Sequence, residues 1–72
     1  MRTLESLLPG ETAIVEGIQH EQMASRLISM GLIPGAEIQL VRKSFSGATA
    51  IFRIRQMQLA LRRTEAQHII LK

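Results

Sequence analysis

Two histidines, His20 and His68, are the first side chains to ask for chemistry, because imidazole is the commonest base and metal ligand near neutral pH. Glu21 is adjacent to the first and Glu65 lies three residues ahead of the second. Adjacent residues at a helix start point away from each other, and a single His–Glu pair at i−3 is not a closed ligand set. Each histidine therefore reads as an exposed polar residue capping a short element. Cysteine is absent, and so is aspartate, which removes disulfides, thiolate zinc sites and a thiol nucleophile. The serines fall in a one-turn segment, a helix face and a loop, with no G-x-S-x-G or phosphate-loop spacing. Met23 and Met30 are soft donors, but they lie on an apolar stripe and read as core filler. No catalytic, cofactor or metal site is expected, and the chain reads as not an enzyme.

The basic residues carry more information. The net charge is +3, yet residues 1 to 36 sum to −2 and residues 37 to 72 to +5. Between Glu37 and Glu65 there are six bases and no acid. Arg53 and Arg55 share one face of a strand, and Arg42, Lys43, Arg62 and Arg63 can join them across a sheet. Such asymmetry points to an acidic protein surface, a nucleic acid or lipid headgroups. The aromatic content narrows that choice, since Phe45 and Phe52 are the only aromatic residues besides the histidines. Single-strand-binding barrels add stacking aromatics to their basic grooves, and proline-rich peptides dock in aromatic-lined ones. A docking face for an acidic protein patch ranks first, an ordinary solvated face second and a small nucleic-acid-binding barrel third.

These side chains need elements to position them. Seventy-two residues make one small domain, 1–72, with a thin margin of stability. Thr3-Leu4-Glu5-Ser6 allows a single helical turn before Pro9-Gly10. Residues 12–18 read as a strand and 20–30 as a helix with Met23, Leu27 and Met30 on its apolar stripe. Gly31 is placed to take the left-handed conformation and Leu32 to fold back onto Leu27, a Schellman ending. Pro34-Gly35 is the centre of a type II turn. Strands follow at 37–43 and 50–55, then a turn at 56–58, a strand at 59–61, one helical turn capped by Thr64, and a strand at 69–71. On the third strand Ala50, Phe52 and Ile54 share one face, Ile51, Arg53 and Arg55 the other. Leu8-Pro9-Gly10-Glu11 and Ile33-Pro34-Gly35-Ala36-Glu37 look alike, which reads as the same turn used before two strands. Five short strands with regular turn signals predict a mainly β fold, a small β-barrel with one inserted α-helix. No apolar run exceeds three residues, whereas a membrane span needs about 20. The expected location is the cytoplasm, with no direct membrane insertion and contact with a membrane only through a partner.

The apolar-Pro-Gly-Glu segment, the helix exit Arg26-Leu27-Ile28-Ser29-Met30-Gly31-Leu32-Ile33-Pro34-Gly35, the basic hairpin and Leu59-Ala60-Leu61-Arg62-Arg63-Thr64-Glu65-Ala66 together resemble the ferrous iron transport protein A (FeoA) family. The match runs from Leu4 to Leu71. The resemblance implies an SH3-like barrel, cytoplasmic and non-catalytic, that works with an inner-membrane ferrous iron transporter carrying a GTP-hydrolysing domain. A similar domain ends the metal regulators of the diphtheria-toxin-repressor type, so a transition-metal-sensing domain is a further alternative. The sequence departs from the family at Gln56-Met57-Gln58, where glycine is usual and a wider turn or bulge is expected. It departs again at Gly47-Ala48-Thr49, where Gly-x-Pro is usual.

With Leu27 and Ile28 assigned to the domain's own core, the helix exit is the place for apolar atoms to meet a partner. Arg26, Met30 and Leu32 surround that exit, joining a charge to an apolar knob as interface centres do. The expected partner-binding residues are therefore Arg26, Met30, Leu32, Arg53 and Arg55, with the arginine pair steering association. Self-association is left open.

Overall fold

The computed structural model describes residues 2–72. A 3-10 turn, Leu4–Ser6, precedes β1 (Thr12–Ile18), α1 (Glu21–Ser29), β2 (Glu37–Lys43), β3 (Thr49–Ile54), β4 (Met57–Arg62), α2 (Arg63–Ala66) and β5 (Ile69–Leu71). The strands form one antiparallel sheet in the order β4-β3-β2-β1-β5. β1 is shared between two halves of the sheet. Thr12–Ile14 pair with β2, and Val15–Ile18 pair with β5 after a register shift at Glu16. A bulge of this kind bends a strand and raises its twist, which folds the sheet around its contents. This is the mainly β fold with one inserted helix that the sequence predicts, in the SH3-like arrangement that the family resemblance implies.

The core needs no polar group. Val15, Leu27, Leu32, Ile38, Leu40 and Ile69 are wholly buried with Phe52 among them, and no polar or charged residue is buried among the described residues. β3 follows the expected alternation, with Phe52 and Ile54 inside and Arg53 outside.

The turns are where local chemistry governs. Gly31 takes φ +97; its N–H donates to Ile28 O and the Leu32 N–H to Leu27 O, both at 3.0 Å. Those two bonds are the Schellman ending. Gly35 takes φ +93 and the Ala36 N–H donates to Ile33 O at 3.0 Å, as a type II turn requires. The same turn stands before β1, with Gly10 at φ +87 and the Glu11 N–H donating to Leu8 O at 2.9 Å. The two turns dock reciprocally on each other's strands: the Gly10 N–H donates to Leu40 O at 2.7 Å and the Gly35 N–H to Val15 O at 2.8 Å.

Several boundaries are corrected. α1 is Glu21–Ser29, with His20 as its N-cap and Met30 as its C-cap. Ile28, expected in the core, is exposed. β4 begins at Met57, so the expected wide turn over 56–58 is a two-residue connection, Arg55-Gln56, closed by the pair Ile54–Met57. Pairing to the very end keeps Phe52 opposite Leu59 and Ala50 opposite Leu61. A one-residue slip would turn Leu59 and Leu61 towards solvent. α2 starts at Arg63, with Arg62 rather than Thr64 at its N-cap.

Candidate functional site

Two grooves share one arginine. The first, of about 320 Å³, is lined by Thr12, Gly35, Ala36, Glu37, Gln39, Arg53 and Arg55. Its floor is a cross-strand polar row, because Thr12 pairs with Gln39 and Gln39 with Arg53. The second, of about 420 Å³, lies between the end of α1 and the β3–β4 connection, lined by Ser29, Met30, Gly31, Ile54, Arg55, Gln56 and Met57. Met57 is about half exposed and Ile28, in the turn before Ser29, equally so. A cationic groove and an apolar one thus meet at Arg55, giving a surface that suits a segment bearing both a carboxylate and an apolar side chain.

Arg55 sits in an unusual backbone. At φ +57 it is the one non-glycine residue with positive φ among the described residues. The left-handed conformation costs an L-residue with a Cβ about 1–2 kcal/mol. The β3–β4 connection demands a positive φ there because that matches the right-handed twist of the paired strands. Arg53 and Arg55 make no ion pair among the described residues.

The residues expected at the helix exit separate. Met30 lines the second groove and also packs against the core. Leu32 is wholly buried and is withdrawn from the docking surface: the Schellman bond that ends α1 carries its side chain inward beside Leu27. Arg26 is exposed, but its guanidinium pairs with Glu65, 39 residues away. Glu65 also accepts the Arg62 N–H at 2.8 Å. That backbone bond first, then the Arg26 contact, holds the Glu65 carboxyl below the usual carboxylate range, against an opposing effect of partial burial. Arg63 is likewise engaged, its Nε donating to Glu5 Oε1 at 2.9 Å. Of the six bases between Glu37 and Glu65, Arg42, Lys43, Arg53, Arg55 and Arg62 make no ion pair among the described residues.

The two histidines, read separately in the sequence, come together: their ring centroids are 5.1 Å apart at an interplanar angle of 60°. His20 Nδ1 accepts the Met23 N–H at 3.2 Å, so the neutral ring carries its proton on Nε2. While it caps α1, His20 presents a donor rather than a free lone pair. Among the described residues no three of His, Cys, Asp and Glu gather as a metal ligand set. No helix among them is long and apolar enough to cross a membrane.

Sequence reasoning missed Gln56 and Met57 as groove residues, having placed them in a wide turn. The available signal was Met57 itself, an apolar residue between polar neighbours where a solvent-facing turn was expected.

Known proteins resemble this chain along most of its length. The FeoA domain family matches residues 2–72. A Helicobacter pylori protein described as Fe(2+) transport protein A is 36% identical over 52 residues, 72% of this chain and 67% of that protein. The solution structure of the FeoA protein from Chlorobium tepidum superposes with a TM-score of 0.91 at 28% identity, covering 97% of this chain and 68% of that one. The crystal structure of Stenotrophomonas maltophilia FeoA, described as complexed with zinc and as a prokaryotic SH3 domain protein, gives 0.88 at 27% identity, covering 100% and 91%.

Proposed function

The chain belongs to the FeoA domain family, and from that membership we propose a cytoplasmic, non-catalytic accessory protein of ferrous iron uptake that binds a membrane-embedded ferrous iron transporter with a GTP-hydrolysing domain and adjusts its GTP-driven transport. The Helicobacter pylori relative described as Fe(2+) transport protein A supports the iron role. The docking site is the surface centred on Arg55, with Arg53, Met30 and Met57 around it, and its target is an acidic segment with an apolar side chain on the transporter's cytoplasmic part.

One observation carries this reading. Arg55 holds a positive φ of 57° at a place where glycine would relieve the strain. Strain of that kind persists where the side chain is needed, and it clusters at functional sites. Arg55 lines both grooves at once. Arg53 adds long-range attraction that fades with salt.

The test replaces Arg55 by glycine, which keeps the backbone and removes the guanidinium. Affinity for the soluble cytoplasmic part of a ferrous transporter is measured by calorimetry against the parent chain. A loss of tenfold or more, about 1.4 kcal/mol, with a melting temperature equal to or above the parent's, is the expected result. Unchanged affinity in that variant overturns the site.

A further inference from the structure

The other end of β3 carries a feature that the docking surface leaves unused. β2 and β3 are joined by a tip, residues 44–48, whose shape is fixed from within. The Ser44 N–H donates to Thr49 O at 2.9 Å and the Gly47 N–H to Ser44 O at 3.0 Å. The Thr49 N–H donates to Ser44 Oγ at 3.2 Å, and the Ala48 N–H to Ser46 Oγ at 3.3 Å. Gly47 supplies the positive φ, +80. On this built tip Phe45 stands fully exposed, whereas the other phenyl ring, Phe52, is in the core. Phenyl rings dominate core energetics in small domains, so a ring held out in water on a rigid turn calls for a partner.

A collar of bases surrounds it. Arg42 and Lys43 end β2 and Arg62 ends β4; Lys43 pairs with Ala50 and Arg62 with Thr49. The bulge at Val41, where the β2–β3 register shifts between Leu40 and Arg42, leaves both Arg42 and Lys43 exposed. None of the three makes an ion pair among the described residues, although the Arg62 charge is felt by Glu65. The carboxylates on this side are already engaged: Glu65 by Arg26 and the Arg62 N–H, and Glu5 by Arg63.

We propose that this tip is an interfacial anchor for an anionic lipid surface, placing Phe45 at the acyl boundary and Arg42, Lys43 and Arg62 among the headgroup phosphates. Shape and charge select that partner. A convex aromatic knob offers no pocket to a folded protein's side chain, but it enters a soft interface, where aromatic rings settle at headgroup depth. Juxtamembrane bases are drawn to an anionic leaflet, each strengthening binding about fivefold. Single-stranded nucleic acid would find one ring where such binders supply several. Such a contact is direct and reversible, requires no spanning helix, and goes beyond the expectation that a partner brings this chain to a membrane. The seven residues from Thr49 to Arg55, at about 3.3 Å each, hold the Arg55 surface about 20 Å from the tip.

The chain contains no tryptophan, so Phe45→Trp makes a single reporter at an exposed position. The full chain is mixed with vesicles of phosphatidylcholine alone and with vesicles of equal parts phosphatidylcholine and phosphatidylglycerol. The expected result is a blue shift, and quenching by brominated acyl chains, with the anionic vesicles only, reversed by high salt. Independently, Phe45→Ser is expected to lower the vesicle partition coefficient, read by sedimentation, at least about fivefold, and Arg42→Gln with Lys43→Gln about 25-fold. The absence of a shift with anionic vesicles overturns the anchor, as does sedimentation of Phe45→Ser at the parent's level. A fluorescence response of the Phe45→Trp variant to single-stranded RNA but not to vesicles reassigns the tip to base stacking and also overturns it. None of these outcomes touches the Arg55 site, whose variant is scored on the transporter.

Discussion

The two tips at the ends of β3 meet the same backbone demand in opposite ways. Each reverses the chain between antiparallel strands and needs a residue at positive φ. At residues 44–48 that residue is Gly47, at φ +80, and the apex is free to carry Phe45. At Arg55-Gln56 the arginine itself takes φ +57. In the first tip conformation and chemistry belong to different residues; in the second they fall on one. A turn of the first kind tolerates a change of apex without loss of stability. In the second kind, replacing the apex by glycine alters stability and recognition together, and the two effects have opposite signs.

Phe52 tests what the tips share. It lies midway along β3, opposite Leu40 on one side and Leu59 on the other, and is buried. Phe52→Ala is expected to cost about 3–5 kcal/mol, a large part of the stability of so small a domain, and to disable both tips. Urea unfolding followed by circular dichroism measures it; a cost below about 1 kcal/mol, equivalent to about a fivefold shift in the folding equilibrium, would mean that the tips stand on separate foundations.

Glycine substitutions sharpen the contrast. A Cβ at Gly47 meets nothing within 4 Å, and one at Gly31 only Ile54 Cγ2 at 4.0 Å. Steric contact therefore adds nothing, and Gly47→Ala and Gly31→Ala are both expected to cost about 1–2 kcal/mol from the left-handed backbone alone. Arg55→Gly is expected to change stability in the other direction, by up to about 1 kcal/mol, because strain relief exceeds the extra entropy that glycine loses on folding. Equal destabilisation of all three variants, read from denaturation midpoints, would erase the distinction between the tips.

Much of this was legible in the sequence, and the misses have physical causes. The Schellman ending at Gly31, the turn at Pro34-Gly35 and the repeated turn before β1 are local, and local chemistry fixed them. Leu32 was asked to fold onto Leu27 and also to face a partner; one side chain cannot do both, and burial won. Ile28 lay on the apolar stripe, but nine residues of α1 turn only a narrow face to the sheet. Alternation along β3 put Arg55 beside Arg53, and both do line the first groove, although Arg55 reaches it from the turn. The Arg26–Glu65 pair and the His20–His68 contact join residues 39 and 48 apart. No spacing rule reports contacts of that range.

The smallest effect concerns the Arg26–Glu65 clamp, which ties α1 to the start of α2 and so stands near the 44–48 tip: the Arg63 N–H donates to Ala48 O at 2.9 Å. Glu65 is held below the usual carboxylate range by the Arg62 N–H first and by Arg26 second. The folded state thus prefers the charged form. Its contribution to stability is fully present above the unfolded value, about 4.3, and disappears as pH falls through the lower folded value. The parent is therefore expected to lose stability on acidification below about pH 4 more steeply than Glu65→Gln, with melting followed across that range. Arg26→Glu sets two carboxylates together in place of an exposed ion pair, and is expected to cost about 0.5 kcal/mol. Faster exchange of the Arg63 amide in that variant, with transporter affinity unchanged, identifies Arg26 as a strut for α1 that supports the Phe45 end of the sheet. Lower affinity with the Arg63 amide still protected would instead return Arg26 to the docking surface, and the two ends of β3 would then share a partner.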